Sequence, residues 1–230
     1  MIYGLIISAG KQKRFGDKLP KSLVKYKGLT LLKVNMNNLS FNCDKVYVVC
    51  SYENEPYFFD YPHITIDSGY GCGDAVLKAL EKLPLKRNDM VFIQWGDSLQ
   101  EFKIYGLMVE NYYTGVIIPC EIEENPYVQL LPNYKKKVLF SKYGEETSKG
   151  YHDLSVFYGN AKNILKSLKK TSGKLSKKGL YYNKHGNELN FLDIFNETNI
   201  KMDIFVVENY KGFSFNTKKE LKEKLNGLEN

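Results

Sequence analysis

Tryptophan occurs once in the 230 residues, at Trp95, and histidine three times, at His63, His152 and His185. The histidines lie far apart, so the sequence offers no histidine-based metal centre. The four cysteines, Cys43, Cys50, Cys72 and Cys120, include no pair with the two-residue gap of a zinc knuckle or redox motif. A chain of this length does not need cross-links, so free thiols are expected. No apolar run approaches the ~18 residues that a membrane-spanning helix needs. The first apolar run, Met1 to Ile7, comes before its charges (Lys11, Lys13, Arg14), the reverse of a secretory signal. A cytoplasmic protein without membrane insertion is expected. Internal repeats and Pro/Gly/Ser-rich linkers are missing too, so residues 1–230 are read as one domain. Two phosphate-binding motifs are absent: the Gly-x-x-x-x-Gly-Lys-Ser/Thr loop and the Gly-x-Gly-x-x-Gly dinucleotide fingerprint.

What is present is a globular composition with 43% apolar residues and a net charge of +7, from 33 Lys+Arg against 26 Asp+Glu. A basic balance points to an anionic partner: nucleic acid, a membrane surface or a phosphorylated small molecule. Buried-strand runs span Ile2 to Ser8, Lys45 to Cys50, Met90 to Trp95 and Gly115 to Pro119, with a weaker one at His63 to Ile66. Between them, Leu29 to Leu39, Cys72 to Leu83 and Phe102 to Tyr112 have helical spacing. Such alternation predicts an α/β fold: a twisted, mostly parallel mixed sheet flanked by helices. In the second half, Tyr127 to Leu131 and Val138 to Ser141 read as a hairpin. Leu154 to Tyr158 and Ile204 to Val207 read as strands, and Ala161 to Lys170 and Asn190 to Phe195 as helices. The last helix, Thr217 to Leu225, carries a capping box of Thr217 and Glu220.

Ligands of such sheets bind at the carboxyl ends of the strands. After the first strand comes Ser8-Ala9-Gly10 and a loop with Lys11, Lys13, Arg14, Lys18 and Lys21. Gly10 allows a tight turn and close approach of backbone N–H groups to an anion. Arg14 offers a planar fork for phosphate oxygens and Lys21 a mobile point charge, with Pro20 stiffening the backbone before it. The same segment also reads as a solvated basic loop. A lysine-rich stretch from Lys162 to Lys184 reads as a solvated face, a lid for anionic acceptors, or a nucleic-acid surface. No nucleic-acid reader motif accompanies it.

The segment Ser8-Ala9-Gly10-Lys11-Gln12-Lys13-Arg14, followed by Pro20-Lys21, resembles the signature of the GT-A-like nucleotidyltransferases, Ala-Ala-Gly-x-Gly-x-Arg and then Pro-Lys. Gln12 stands where that pattern has its second glycine. Gly71-Cys72-Gly73-Asp74-Ala75 resembles the family's Gly-Thr-Gly-x-Ala segment, and Trp95-Gly96-Asp97 its apolar-Gly-Asp. Residues 213–221 resemble its closing Asp-x-Asn-Thr-x-x-Glu-Leu, with Ser214 in place of the aspartate. The resemblance implies a GT-A-like single domain that joins a nucleoside triphosphate to a phosphorylated acceptor and releases pyrophosphate. It implies catalytic roles for Arg14 and Lys21. Ala9, Gly10, Lys11, Gly71, Cys72 and Gly73 would contact the nucleotide, and Asp97 and Asn216 would hold Mg²⁺. The weaker echo at residues 149–158 implies acceptor contacts from Lys149 and Asp153. The compact length resembles the small bacterial cytidylyltransferases of surface-polymer synthesis, which implies CTP and a small phosphorylated acceptor, phosphoglutamine for capsule phosphoramidate among the choices. A homodimer remains open. The alternatives are a UTP- or other NTP-dependent sugar-1-phosphate nucleotidyltransferase, a GT-A glycosyltransferase, or a non-catalytic nucleotide-binding regulator.

Overall fold

Continuous apolar runs suit strands buried on both faces, and these runs form the middle of the sheet. The computed structural model describes residues 1–10, 19–67, 69–140, 149–177, 180–181 and 187–227. In chain order the main elements of the first half are β1 (Ile2–Ile7), α1 (Leu31–Ser40), β2 (Lys45–Ser51), β3 (His63–Ile66), α2 (Cys72–Lys82), β4 (Met90–Trp95), α3 (Phe102–Glu110) and β5 (Val116–Glu123). The second half adds β6 (Val128–Leu130), β7 (Val138–Phe140), β8 (Gly150–Asp153), β9 (Val156–Asn160), α4 (Ala161–Leu175), α5 (Asp193–Glu197), β10 (Met202–Val206) and α6 (Lys218–Gly227).

One ten-stranded sheet runs in the order β7-β6-β8-β5-β9-β4-β1-β2-β3, with β10 added alongside β5. β1 pairs in parallel with β2 and β4, and β2 in parallel with β3. β9 enters antiparallel between β4 and β5. The two-residue alternation of a strand splits neighbouring side chains between two cores. Leu5, Val49, Ile93 and Phe157 pack on the side of α2, α4 and α5. Ile6, Val48, Phe92 and Tyr158 pack on the side of α1 and α3.

Several predicted boundaries shift for local reasons. The first helix starts at Leu31, not Leu29, because Leu29–Thr30 pairs with Lys25–Tyr26 around two left-handed residues, Lys27 (φ 48°) and Gly28 (φ 85°). Thr30 then caps the helix, its Oγ1 accepting from the Lys33 N–H at 3.2 Å. β5 runs through Pro119 to Glu123; the Pro119 carbonyl accepts from Leu154 N at 3.0 Å, so the missing N–H does not end the ladder. The strand expected at Leu154 to Tyr158 begins at Val156. Just before it Ser155 is left-handed (φ 66°), and its N–H donates to the Asp153 carboxylate at 2.9 Å. At the last helix the Thr217 hydroxyl accepts from Glu220 N at 3.2 Å, while Glu220 reaches back to Asn216 N at 2.7 Å. The reciprocal arm of the capping box thus falls one residue earlier than expected.

Because β1, β2, β3 and β4 are parallel, their carboxyl ends share one edge of the sheet. Ile7 pairs with Trp95 at the last rung, and Gly96 N donates to Ile7 O at 2.9 Å. The segments after β1, β3 and β4 therefore meet, and the site lies there.

Candidate active site

Lys21 opens a single helical turn, Lys21–Leu23, set by Pro20, whose carbonyl accepts from Leu23 N at 2.8 Å. The turn aims the Lys21 side chain at the end of β4. Its Nζ donates to Asp97 Oδ2 at 2.9 Å and to the Phe215 carbonyl at 3.3 Å. Both side chains are shielded, with 14% exposure for Lys21 and 29% for Asp97, so the ion pair is screened less than a surface pair. A short ladder between Ser98–Leu99 and Phe213–Ser214 brings the C-terminal segment alongside, and Phe215 N donates to the Asp97 carbonyl at 3.2 Å. That ladder places Asn216 on the wall beside Asp97.

Buried amides fix the turn that carries Asp97. Asn35 donates to the Ser98 carbonyl at 2.7 Å, and the Ser98 hydroxyl to the Trp95 carbonyl at 2.8 Å. Gln94 accepts from the Tyr105 hydroxyl at 2.6 Å. Gly96 admits no side chain: a Cβ there would overlap Ser8 Oγ and sit 2.9 Å from the Ile7 carbonyl.

The opposite wall is the glycine loop before α2. Gly71 has φ 103°, a conformation open to glycine, and a Cβ on it would lie 2.5 Å from the Leu189 carbonyl. Leu189 N donates to the Tyr70 carbonyl at 2.6 Å and its carbonyl accepts from Gly73 N at 2.9 Å. Phe191 N donates to Cys72 Sγ at 3.4 Å. Residues 187–191 thus clasp the loop like an added strand. Asp74, nearly fully buried, accepts from Tyr70 N at 3.0 Å and pairs with Lys78 Nζ at 2.7 Å, which ties the loop to its own helix. Burial pushes the Cys72 thiol up to about 12, which keeps it protonated at neutral pH.

Together these walls enclose a cleft of about 700 Å³, enough for a nucleotide and a small second substrate. Ala9, Gly10, Lys21, Gly71, Cys72, Asp97 and Asn216 all line it. Gly73 does not: a Cβ on it would meet the Asn190 carbonyl carbon at 2.8 Å, so this glycine serves the clasp. Lys149 and Asp153 do not line it either. Lys149 is exposed and pairs with Glu124 at 3.2 Å. Asp153 is buried opposite Cys120 in the ladder, and burial raises its carboxyl above the usual range. Lys11 and Arg14 fall outside the described residues. The cleft also contains Ser8, quoted only as the start of the first motif, and Ser22, Asn187 and Glu188, none of which was among the expected site residues. Trp95, chosen as part of the Gly-Asp motif, adds an aromatic wall that packs tilted against Phe157 and edge-to-face against Phe191, with ring centroids 5.2 and 6.0 Å apart.

The sequence pattern of the MobA-like NTP transferase domain matches residues 4–123, just over half of the chain. The chain belongs to that family.

The matched part of this NTP transferase domain carries the β1 loop, the glycine loop and Asp97. The clasp, Asn216 and the antiparallel half of the sheet lie beyond it. Among characterised proteins the chain is 26% identical to 2-C-methyl-D-erythritol 4-phosphate cytidylyltransferase of Petrotoga mobilis, over 73% of this chain and 81% of the relative. In fold it is similar to a Bacillus anthracis protein assigned as a glucose-1-phosphate thymidylyltransferase. There the TM-score is 0.76 at 12% identity, covering 100% of this chain and 96% of that one. It is also similar to HddC from Yersinia pseudotuberculosis, with a TM-score of 0.70 at 15% identity and 99% of each chain covered. A further HddC structure holds GMP-PN. These neighbours bear out the GT-A-like nucleotidyltransferase fold.

Proposed function

We propose that the protein is a cytidylyltransferase. It joins CTP to a small phosphorylated acceptor, with phosphoglutamine the first to assay, and releases pyrophosphate. The observation that carries this is the meeting of Lys21, Asp97 and Asn216 with the Ala9-Gly10 backbone and the glycine loop in one cleft. The likeness to the Petrotoga cytidylyltransferase favours CTP among the triphosphates. The capsule or surface-polymer role, the cytoplasmic location and the acceptor belong to this proposal.

A phosphate oxygen of the acceptor attacks the α-phosphorus of CTP. The bond from the α-phosphorus to the bridging oxygen breaks, and that electron pair leaves with pyrophosphate. The acceptor oxygen is already ionised, so no general base is required. The protein's work is positioning and charge stabilisation. Lys21 stabilises charge at the α-phosphoryl, and the Gly71 loop and Ala9-Gly10 backbone hold the base and sugar. Among the described residues no cluster of three His, Cys, Asp or Glu side chains is placed to hold a metal ion. Asp97 and Asn216 instead offer two hard oxygen donors on one wall, which fits Mg²⁺, an ion that takes most ligands from substrate phosphates and water. Asp97 and Asn216 would hold the ion there, and it would supply positive charge against the triphosphate.

The test is pyrophosphate release and product mass with each of the four triphosphates against a panel of phosphorylated acceptors. CTP with one acceptor class is the expected result. Faster turnover with UTP and sugar 1-phosphates would overturn the base assignment. Glycosyl transfer from a nucleotide sugar would make it a glycosyltransferase, and binding without turnover a regulator.

A further inference from the structure

Two hydroxyls in the cleft, Ser8 Oγ and Ser22 Oγ, are buried without a hydrogen-bond partner among the described residues. Exposure is 8% for Ser8 and 1% for Ser22, yet both residues line the cleft. They flank a single backbone point. A Cβ on Gly96 would overlap Ser8 Oγ and lie 3.3 Å from Ser22 Cβ. Asp97 is the next residue, and Ser22 directly follows Lys21. The pair therefore sits at the Lys21–Asp97 end of the cleft and not at the glycine loop.

An unpaired buried hydroxyl works against the folded state, and nearly all buried polar groups have a partner. Alanine has almost the same shape and lacks that burden. The motif that this segment resembles has alanine where Ser8 stands. Two such hydroxyls side by side, next to a lysine and in a cleft wall, call for a shared acceptor supplied from outside the protein. Anionic oxygens are the strongest acceptors for hydroxyl donors.

We propose that Ser8 and Ser22 bind phosphoryl oxygens of a substrate, donating hydrogen bonds beside Lys21 at the phosphoryl end of the cleft. This rests on the nucleotidyltransferase reading above. The oxygens could belong to the triphosphate or to the acceptor's phosphate, and the experiment separates the two.

The single tryptophan, Trp95, lines the same cleft and gives a fluorescence signal for binding. Ser8→Ala, Ser22→Ala and the double variant are compared with the unsubstituted protein by thermal midpoint without ligand, by Trp95 titration with CTP and with cytidine, and by the acceptor KM. The expected midpoints are unchanged or raised by about 2–4 °C, since an unpaired hydroxyl has been removed. The expected loss of CTP affinity is about tenfold per hydroxyl, with cytidine affinity unchanged. If CTP affinity holds and the acceptor KM rises tenfold instead, the hydroxyls serve the acceptor's phosphate. Unchanged constants for both substrates overturn the proposal. A lowered midpoint with weaker binding of cytidine and CTP alike also overturns it, because the hydroxyls are then part of the fold. An unsubstituted protein that binds no triphosphate overturns this proposal and the nucleotidyltransferase reading together; one that binds, with unaffected variants, overturns this proposal alone.

Discussion

Lys21 holds Asp97 in the free protein and, in the proposed reaction, a phosphoryl oxygen. In that proposal the lysine turns to the nucleotide and frees a carboxylate oxygen of Asp97 for a cation. Two outcomes follow at this one residue. Lys21→Met should lower turnover on the order of 10²–10³-fold, the usual loss for one preorganised donor. In nucleotide-free protein the same change should tighten Mn²⁺ binding, because the lysine no longer neutralises Asp97. The Trp95 fluorescence titration measures it, and weaker cation binding would remove Asp97 from the metal site. Asp97→Ala should abolish activity. Ser214 and Asn216 stand two apart and are both exposed while Phe213 and Phe215 are buried, so they share a face. Ser214→Asp should therefore lower the Mg²⁺ concentration needed for half-maximal rate, and an unchanged requirement would count against Asn216 as its neighbouring ligand.

The glycine loop is an element that its partner segment completes. Its left-handed Gly71 and its contact with the Leu189 carbonyl both exclude a side chain, for reasons of packing that hold even without a nucleotide. Gly71→Val should thus lower the thermal midpoint by at least about 4 °C, since a strained backbone and a clash each cost about 1–2 kcal/mol. Impaired activity in that variant would speak about the fold and not about base recognition. Asp74→Asn is the cleaner probe of the loop. It removes the charge paired with Lys78 but keeps an acceptor for Tyr70 N. We expect a folded protein whose Tyr70 amide exchanges faster and whose KM for the triphosphate rises about tenfold with kcat nearly kept. A kcat loss with normal KM would place Asp74 outside nucleotide binding.

At the scale of the whole molecule, all four thiols are held protonated by burial. Cys43 and Cys72 are pushed from 9.0 up to about 12, and Cys50 and Cys120 also upward. Tyr158 is raised from 10.0 to about 12 for the same reason. Unfolding lets these groups lose protons near their ordinary values, so the unfolded state binds fewer protons in alkali. Their stabilising effect is complete below about pH 9 and is lost progressively as pH rises toward 12. The urea midpoint should fall between pH 8 and pH 10, and thiol reagents at neutral pH should modify the folded protein slowly. A flat urea midpoint across that range would contradict the burial of the cysteines.

Local pattern was enough for much of this molecule. The run from Met90 to Trp95 and the strand at His63 to Ile66 were legible residue for residue, because strands buried in a parallel sheet carry their own apolar signal. The free thiols were legible from spacing, and the short motifs at strand ends singled out Lys21 and Asp97, which the fold brings together in one cleft. Neither the clasp of residues 187–191 on the glycine loop nor the packing duty of Gly73 could be read there. Leu189 meets Gly73 by backbone hydrogen bonding, which leaves no mark in side-chain pattern and spans more than a hundred residues of chain. The same holds for Ser8 and Ser22, unremarkable in sequence until β1 and β4 pair and close on Gly96. Composition and periodicity determined which segments are strands and helices, since that choice rests on local burial and backbone preference. Which of their ends share a cleft was decided by the parallel pairing of β1 with β2 and β4, because strand order and the antiparallel insertion of β9 depend on contacts that no local segment contains.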